Sequence, residues 1–163
     1  MGHIASGPDG MLYLSSGSRT DSGEAGNDPR ISNEGETPLT SCLWKLDPKA
    51  ENPRIEVVAR GLRNAYGFAW DDVGRLFTVS NGPDSDAPEE MNLIKPGNHY
   101  GFPYQYSDWS VARRLYAHTP AAPAGMEFTM PLANLGPDGG GSAGAARLAG
   151  RWPPSIRIRH PRA

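Results

Sequence analysis

The sequence predicts an all-β protein built from short strands. Turn-forming residues are frequent, with 20 glycines and 16 prolines among 163 residues, and only 37% of the residues are hydrophobic. Glycine and proline punctuate hairpins and interrupt long helices. Two segments also echo each other, because residues 7–17 (GPDGMLYLSSG) and 71–82 (DDVGRLFTVSNG) both place a Leu-aromatic pair between an Asp/Gly turn and a Ser/Gly cluster.

Four segments have the pattern of strands. The middle of each echoed segment alternates as a half-buried strand does. Residues 42–48 (CLWKLDP) alternate and stop at Asp-Pro, and residues 55–60 (IEVVAR) are β-branched. Residues 21–38 are polar and rich in turn formers, which predicts a long loop.

A unit of several short strands that recurs is typical of a propeller or a sandwich. At roughly 40–50 residues per blade, the chain would hold about three propeller blades. Closed propellers use about four to eight blades, so strand edges would stay exposed and invite pairing with another chain. A homodimer is therefore an expectation.

Charge and cysteine content argue against several partners. The net charge is -2, with 16 basic and 18 acidic side chains interspersed, which gives no field for nucleic acid or an anionic membrane. No run approaches the roughly 18 apolar residues of a membrane span. Cys42 is the single cysteine, which excludes an internal disulfide and a thiolate metal cluster. Residues 1–10 lack the pattern of an export signal.

Residues 61–103 hold the side chains that are the strongest candidates for binding a ligand or a metal ion. Taken alone, Arg63 and Asn64 read as a salt-bridged arginine beside a turn-capping asparagine, and Gly82 with Pro83 reads as a tight turn. Carboxylates then follow within seven residues, and these could bind calcium, although a solvated acidic loop is the commoner case. They are Asp84, Asp86, Glu89 and Glu90.

Aromatic residues follow this stretch in alternation. Strand geometry would place the rings of Tyr100, Phe102, Tyr104 and Tyr106 on one face, with Trp109 beyond them. A sugar-stacking platform and packing in the core both remain open, and packing is favoured.

The composition changes near the C-terminus. From Gly136 glycine and alanine replace the alternating pattern, and arginines cluster near the end. We therefore divide the chain into a partial β-propeller at 1–141 and an irregular tail at 142–163. An unstructured or non-native end is favoured over a nucleic-acid-binding tail, and we hypothesise a shifted reading frame that begins between Ser142 and Arg151.

Five segments, in this order and spacing, resemble the soluble quinoprotein glucose dehydrogenase and glucose/sorbosone dehydrogenase family. The resemblance runs from about Gly2 to Gly140. It implies a partial six-bladed β-propeller, pyrroloquinoline quinone (PQQ) and Ca²⁺ as cofactors, a sugar substrate, an external electron acceptor and a periplasmic or secreted parent protein. The segments are GPDGMLYLSSG, LWKLDP, GLRNAYGFAWD, NGPDSDAPEEMNLI and GNHYGFP.

The resemblance also implies roles for five residues. Arg63 and Asn64 match a pair that faces the quinone, where a guanidinium stabilises the negative charge of the reduced cofactor. Gly82 and Pro83 match the position that offers main-chain carbonyls to the calcium, and Glu90 matches a residue associated with a second ion.

The sequence departs from the family at the catalytic base. The family histidine corresponds to a position before Met1, and His3 matches a neighbouring position that points differently on an alternating strand. The aspartate that orients the base corresponds to Ser18, although Asp21 could substitute. The chain is therefore expected to lack the base. The remaining histidines are expected to be packing or surface residues: His99, His118 and His160.

The predicted function is a fragment of a PQQ-dependent sugar (aldose) dehydrogenase, which oxidises a sugar hydroxyl by hydride transfer to the quinone. Two alternatives remain open at this stage. One is a calcium-dependent lactonase-type propeller, and the other is a non-catalytic module that binds carbohydrate or calcium.

Overall fold

The computed structural model of the chain describes residues 2–23, 35–83, 88–107 and 120–135. Within these ranges all the strands form two four-stranded antiparallel sheets, and no helix is found there that is long and apolar enough to span a membrane. The all-β prediction is confirmed. The strands are β1 (Ile4–Ser6), β2 (Leu12–Ser16), β3 (Cys42–Leu46), β4 (Glu56–Arg60), β5 (Ala65–Trp70), β6 (Leu76–Ser80), β7 (Glu89–Ile94) and β8 (Ala133–Leu135).

Both sheets are meanders in which consecutive strands pair, in the orders β1-β2-β3-β4 and β5-β6-β7-β8. The two echoed segments contain β2 and β6, which are the second strands of their sheets. The repeated four-stranded meander is the unit from which propeller blades are built. The number of blades stays a prediction, and the tail at 142–163 lies outside the described residues, as do Trp109, His118 and His160.

The two glutamates of the acidic segment are part of a strand rather than a solvated loop. Glu89 and Glu90 begin β7, which lies between two neighbours, since Glu90 pairs with Ser80 of β6 and Glu89 pairs with Leu135 of β8. Their side chains are 3% and 0% exposed. The expectation of a solvated loop is therefore wrong for these two residues. Asp84 and Asp86 lie outside the described residues.

The aromatic residues do not form the expected strand. The chain turns after Gly101, whose carbonyl accepts hydrogen bonds from the backbone N–H groups of residues 104 and 105. Tyr100, Phe102 and Tyr106 are 2%, 2% and 1% exposed, so packing accounts for these three rings. Tyr104 stacks on Phe128 with ring centroids 6.1 Å apart.

An apolar core joins the two sheets and fixes the strand ends that carry the site. Burial of this apolar surface is the main stabilising contribution. The ring of Trp70 contacts Tyr13 of the first sheet edge-on at 5.0 Å and Phe68 at 5.6 Å. The core residues are Tyr13, Leu43, Val58, Ala59, Leu62, Ala65, Phe68, Leu76, Ile94 and Tyr100.

Glu90→Gln is expected to remove a pH dependence of folding stability. Burial raises the pKa of Glu90 from 4.5 to about 7, against the opposing hydrogen bonds from Asn92 and Ser107. The protonated acid is therefore favoured in the folded chain. The contribution of Glu90 to the free energy of unfolding is fully present below about pH 4.5 and is lost as the pH rises from there through about 7. The loss amounts to roughly 3 kcal/mol.

Urea unfolding of both proteins at pH 5 to 8 in the presence of EDTA measures this difference. The lowered pKa of His99 acts in the opposite direction, but it is common to both proteins and cancels. A stability difference between wild type and Glu90→Gln that does not change with pH would contradict the prediction.

Candidate functional site

A tight turn between the two sheets presents Arg63 and Asn64. After β4 ends, Gly61 adopts a positive φ of 73°, and a Cβ atom there would lie 2.4 Å from His99 Nδ1 and 2.7 Å from the backbone nitrogen of Gly101. Only glycine fits this approach. The next residue, Leu62, is fully buried and anchors the turn in the core.

Backbone hydrogen bonds join this turn to the ends of β2 and β6. The N–H of Ser18 donates to the Arg63 carbonyl at 2.6 Å, and the N–H of Asn81 donates to the Asn64 carbonyl at 3.0 Å. The N–H of Asn64 donates to Ser80 Oγ at 3.1 Å. Three loops, from both sheets, therefore meet at one point.

The guanidinium of Arg63 lies at that point and makes four hydrogen bonds. Nη1 donates to the carbonyls of Asn81, at 3.3 Å, and Gly82, while Nε donates to the Asp21 carbonyl at 2.8 Å. Nη2 forms an ion pair with the Asp21 carboxylate. Arg63 is 9% exposed. The guanidinium and the bend at residues 81–83 thus share one location.

Asn64 is more accessible than Arg63. It is half-buried, and its side chain lies against Gly17, because a Cβ atom at Gly17 would be 2.9 Å from Asn64 Oδ1. The turn therefore offers a buried cation with a neutral amide beside it. This pair of donors fits an anionic planar ligand, since the guanidinium supplies charge and the amide supplies an uncharged donor.

A buried polar strip lies below the bend, on the face of the second sheet that packs against the first. Glu90 Oε1 accepts a hydrogen bond from the Ser107 N–H at 2.5 Å, and Oε2 accepts one from Asn92 Nδ2 at 3.2 Å. Asn92 pairs with Thr78, next to the pairing of Glu90 with Ser80. In the described part of the chain, Asn92 Oδ1 and Thr78 Oγ1 are buried without a hydrogen-bond partner.

These oxygen atoms are of the type that binds a hard cation as ligands. Among the described residues no group of three or more His, Cys, Asp or Glu side chains could hold a metal ion. Calcium also accepts carbonyl, amide and hydroxyl oxygens. The buried oxygens beside Glu90 and the carbonyl of Gly82 are of this kind, so the donor chemistry of both places fits calcium.

The two histidines that the structure describes take packing positions. His3 is exposed, its backbone pairs with Ser15 of β2, and its ring contacts Phe68 edge-on at 4.7 Å. His99 Nδ1 accepts a hydrogen bond from the Gly101 N–H at 3.1 Å, and its ring lies against Tyr104 and Phe128 at centroid distances of 5.9 and 5.4 Å. Burial, with a smaller contribution from Arg60, lowers the pKa of His99.

The sequence offers Asp21 as a substitute for the aspartate that orients a histidine base. In the structure, the Asp21 carboxylate forms an ion pair with the Arg63 guanidinium. Ser18 contributes its backbone N–H to the same turn.

A cavity of about 540 Å³ lies beside the residues that surround the Arg63 guanidinium, and not among them. Neither Arg63 nor Gly82 lines it. Glu36, at its wall, accepts hydrogen bonds from both sides, from Thr20 at 2.8 Å and from Ser41 at 2.7 Å. Glu36 therefore connects the loop that carries Asp21 to the start of β3.

Sequence reasoning missed several residues of the site. Asn81 could have been found, because it immediately precedes the Gly-Pro pair. No local pattern indicates the hydrogen bond of Tyr106 to the Ser80 carbonyl, 26 residues away along the chain. The same holds for the hydrogen bond of Thr20 to Glu36, which lie 16 residues apart.

Comparisons with known proteins identify relatives of this chain. The sequence profile of the Glucose / Sorbosone dehydrogenase family matches residues 1–132. Quinoprotein glucose dehydrogenase B of Acinetobacter calcoaceticus is 31% identical over 84 residues, which are 45% of this chain and 17% of that protein. An uncharacterized protein of Synechocystis sp. is 33% identical over 96 residues, covering 58% of this chain and 21% of that protein.

A solved structure is also similar. The PQQ-bound form of aldose sugar dehydrogenase from Streptomyces coelicolor superimposes with a TM-score of 0.54 and 30% identity, over 82% of this chain and 35% of that one. The chain thus spans 17% to 21% of the curated relatives' length and 35% of this structural neighbour. Because the family profile covers most of its residues, the chain belongs to the glucose/sorbosone dehydrogenase family.

Proposed function

We propose that this chain provides a quinone-binding corner of a PQQ-dependent sugar dehydrogenase that oxidises a sugar hydroxyl. A periplasmic or secreted location and an external electron acceptor belong to the same proposal. The observation that carries it is the meeting of the Arg63 guanidinium with the carbonyls of Asn81 and Gly82, in a chain of this family.

Arg63 and Asn64 are the residues proposed to hold the quinone. When bound, PQQ serves as the hydride acceptor for the substrate. A buried guanidinium stabilises negative charge on a neighbouring group more strongly than an exposed one, because little water screens it. Asp21 and the loop carbonyls hold the Arg63 side chain in place before any ligand arrives, which lowers the entropic cost of binding.

The carbonyls of Gly82 and Pro83 are proposed to contribute to a calcium site, and Glu90 to a second one. A carbonyl oxygen has two lone pairs, so Gly82 can accept the Arg63 N–H and still face a cation. The burial of Glu90 beside oxygens of Asn92 and Thr78 that find no partner in the described ranges supports the second site. A cation there would also favour ionisation of Glu90, whose pKa burial raises to about 7.

No catalytic base is assigned among the described histidines. His3 and His99 both have packing contacts, and Asp21 is engaged with Arg63. Cofactor binding is therefore assigned to the described residues, whereas turnover requires a base that is not assigned among them.

A non-catalytic binding module is a second candidate, because the Arg63 guanidinium already makes four hydrogen bonds to three residues within the chain. In that case the arginine would be a structural link between loops. A lactonase-type propeller would require calcium but no quinone.

The purified chain is expected to bind PQQ in a calcium-dependent manner. Absorbance titration with PQQ, with and without CaCl₂, measures this, and dye reduction with glucose measures turnover. Binding without appreciable dye reduction is the expected result. Calcium binding without uptake of quinone would favour the lactonase-type or binding-module candidates, and uptake of neither would refute the cofactor assignment.

Arg63→Gln is expected to weaken PQQ binding by roughly 10- to 100-fold, since it removes the buried charge that faces the ligand. The matched control is Arg75→Gln, because Arg75 also forms an ion pair with an aspartate, Asp71, but on the surface of the β5–β6 turn with 53% of its side chain exposed. PQQ affinity measured at a temperature where both variants are folded separates the two. Equal affinities for the variants would contradict the role of Arg63.

A further inference from the structure

The hydroxyl of Tyr106 forms a hydrogen bond with the backbone immediately before the bend at residues 81–83. Tyr106 is 1% exposed, and its hydroxyl donates to the Ser80 carbonyl at 2.9 Å. Ser80 is the last residue of β6, so its carbonyl belongs to the peptide unit that leads into Asn81. The hydrogen bond therefore holds the peptide unit through which the chain enters the bend.

The other polar atom of the same peptide unit is also fixed. The N–H of Asn81 donates to the Asn64 carbonyl at 3.0 Å, on the opposite side. Because a peptide unit is planar, holding its C=O and its N–H sets the orientation of the whole unit. The carbonyls of Asn81 and Gly82, which face Arg63, follow directly from it along the chain.

The position of Tyr106 is itself set by the second sheet. The next residue, Ser107, donates its N–H to Glu90 Oε1 at 2.5 Å and its hydroxyl to Asn134 Oδ1 at 2.8 Å. Burial, reinforced by the nearby negative charge of Glu90, raises the pKa of Tyr106 well above 10. The hydrogen bonds of Ser107 therefore hold the neighbouring phenol where it can donate to Ser80.

We propose that Tyr106 is a positioning residue for the cofactor site, and that its hydroxyl orients the carbonyls of the bend through the peptide unit that joins Ser80 and Asn81. This inference rests on the proposed function, because the ligand that benefits is the calcium-bound quinone. Tyr106 does not touch that ligand in this account. Its contribution passes through the backbone of Asn81 and Gly82.

Tyr106→Phe tests the proposal, with Tyr100→Phe as the matched control. Tyr100 is equally buried at 2% exposure, and its hydroxyl donates to the Leu93 carbonyl at 2.7 Å and accepts from the Lys95 N–H at 2.8 Å, near the other end of β7. Each substitution removes one buried hydroxyl. Both are expected to lower the unfolding temperature, whereas only Tyr106→Phe is expected to weaken calcium-dependent PQQ binding, by about tenfold.

A second measurement works without any cofactor. Hydrogen exchange of the Asn81 amide is expected to be faster in Tyr106→Phe than in Tyr100→Phe, when both are compared under conditions where the chain is folded. Equal exchange rates would overturn the positioning role, as would equal PQQ affinities. If wild type does not bind PQQ, the proposed function fails, and the exchange rates alone decide whether Tyr106 orients the bend.

If Tyr106→Phe does not fold, Ser107→Ala replaces it. This variant keeps the phenol but removes the hydroxyl contact with Asn134 that holds the loop. Faster exchange at Asn81, to a smaller extent, is the expected result. Unchanged exchange would count against the proposal.

Discussion

The site depends on the partners that surround one buried cation, the guanidinium of Arg63. A buried charge is costly unless it is paired and hydrogen-bonded. Arg63 meets this requirement with the carboxylate and carbonyl of Asp21 and with the carbonyls of Asn81 and Gly82. Because these partners follow β2 and β6, a single side chain holds the loops of two sheets together. The arrangement of carbonyls around the guanidinium follows from this constraint.

The repeated meander explains why such a meeting is possible. β2 and β6 occupy the same place in their sheets, and the loops that follow them both bond to the turn that carries Arg63 and Asn64. The turn at residues 61–64 runs between them, and the close approach at Gly61 excludes a side chain there. Backbone hydrogen bonds from Ser18 and Asn81 then fix the turn on both sides. These backbone hydrogen bonds thus hold the turn in place, and the Arg63 side chain then connects the two loops through its bonds to Asp21, Asn81 and Gly82.

The second sheet contributes a different polar environment beneath the bend. Glu90 is fully buried with hydrogen bonds to both carboxylate oxygens, and on the same face lie oxygens of Asn92 and Thr78 that have no hydrogen-bond partner among the described residues. Buried polar groups of this kind require partners, and oxygen donors without them favour a hard cation. Through Ser107 and Tyr106, this environment is mechanically connected to Ser80 and hence to the bend. The proposed cation site and the geometry of the loop therefore belong to one connected structure.

Local patterns in the sequence determined the strands and the candidates. Alternation between turn residues predicted β2, β3 and β6, because a strand of a half-buried sheet carries its own signature of period two. The β-branched residues of 55–60 predicted β4. The turn pairs Arg63–Asn64 and Gly82–Pro83 could also be found, since each is contiguous. The burial of Glu89 and Glu90, the turn through the aromatic residues, and the pairing of Arg63 with Asp21 were decided only by the tertiary structure. Arg63 and Asp21 lie 42 residues apart and Tyr106 and Ser80 lie 26 apart, and such contacts exist only after two sheets have packed.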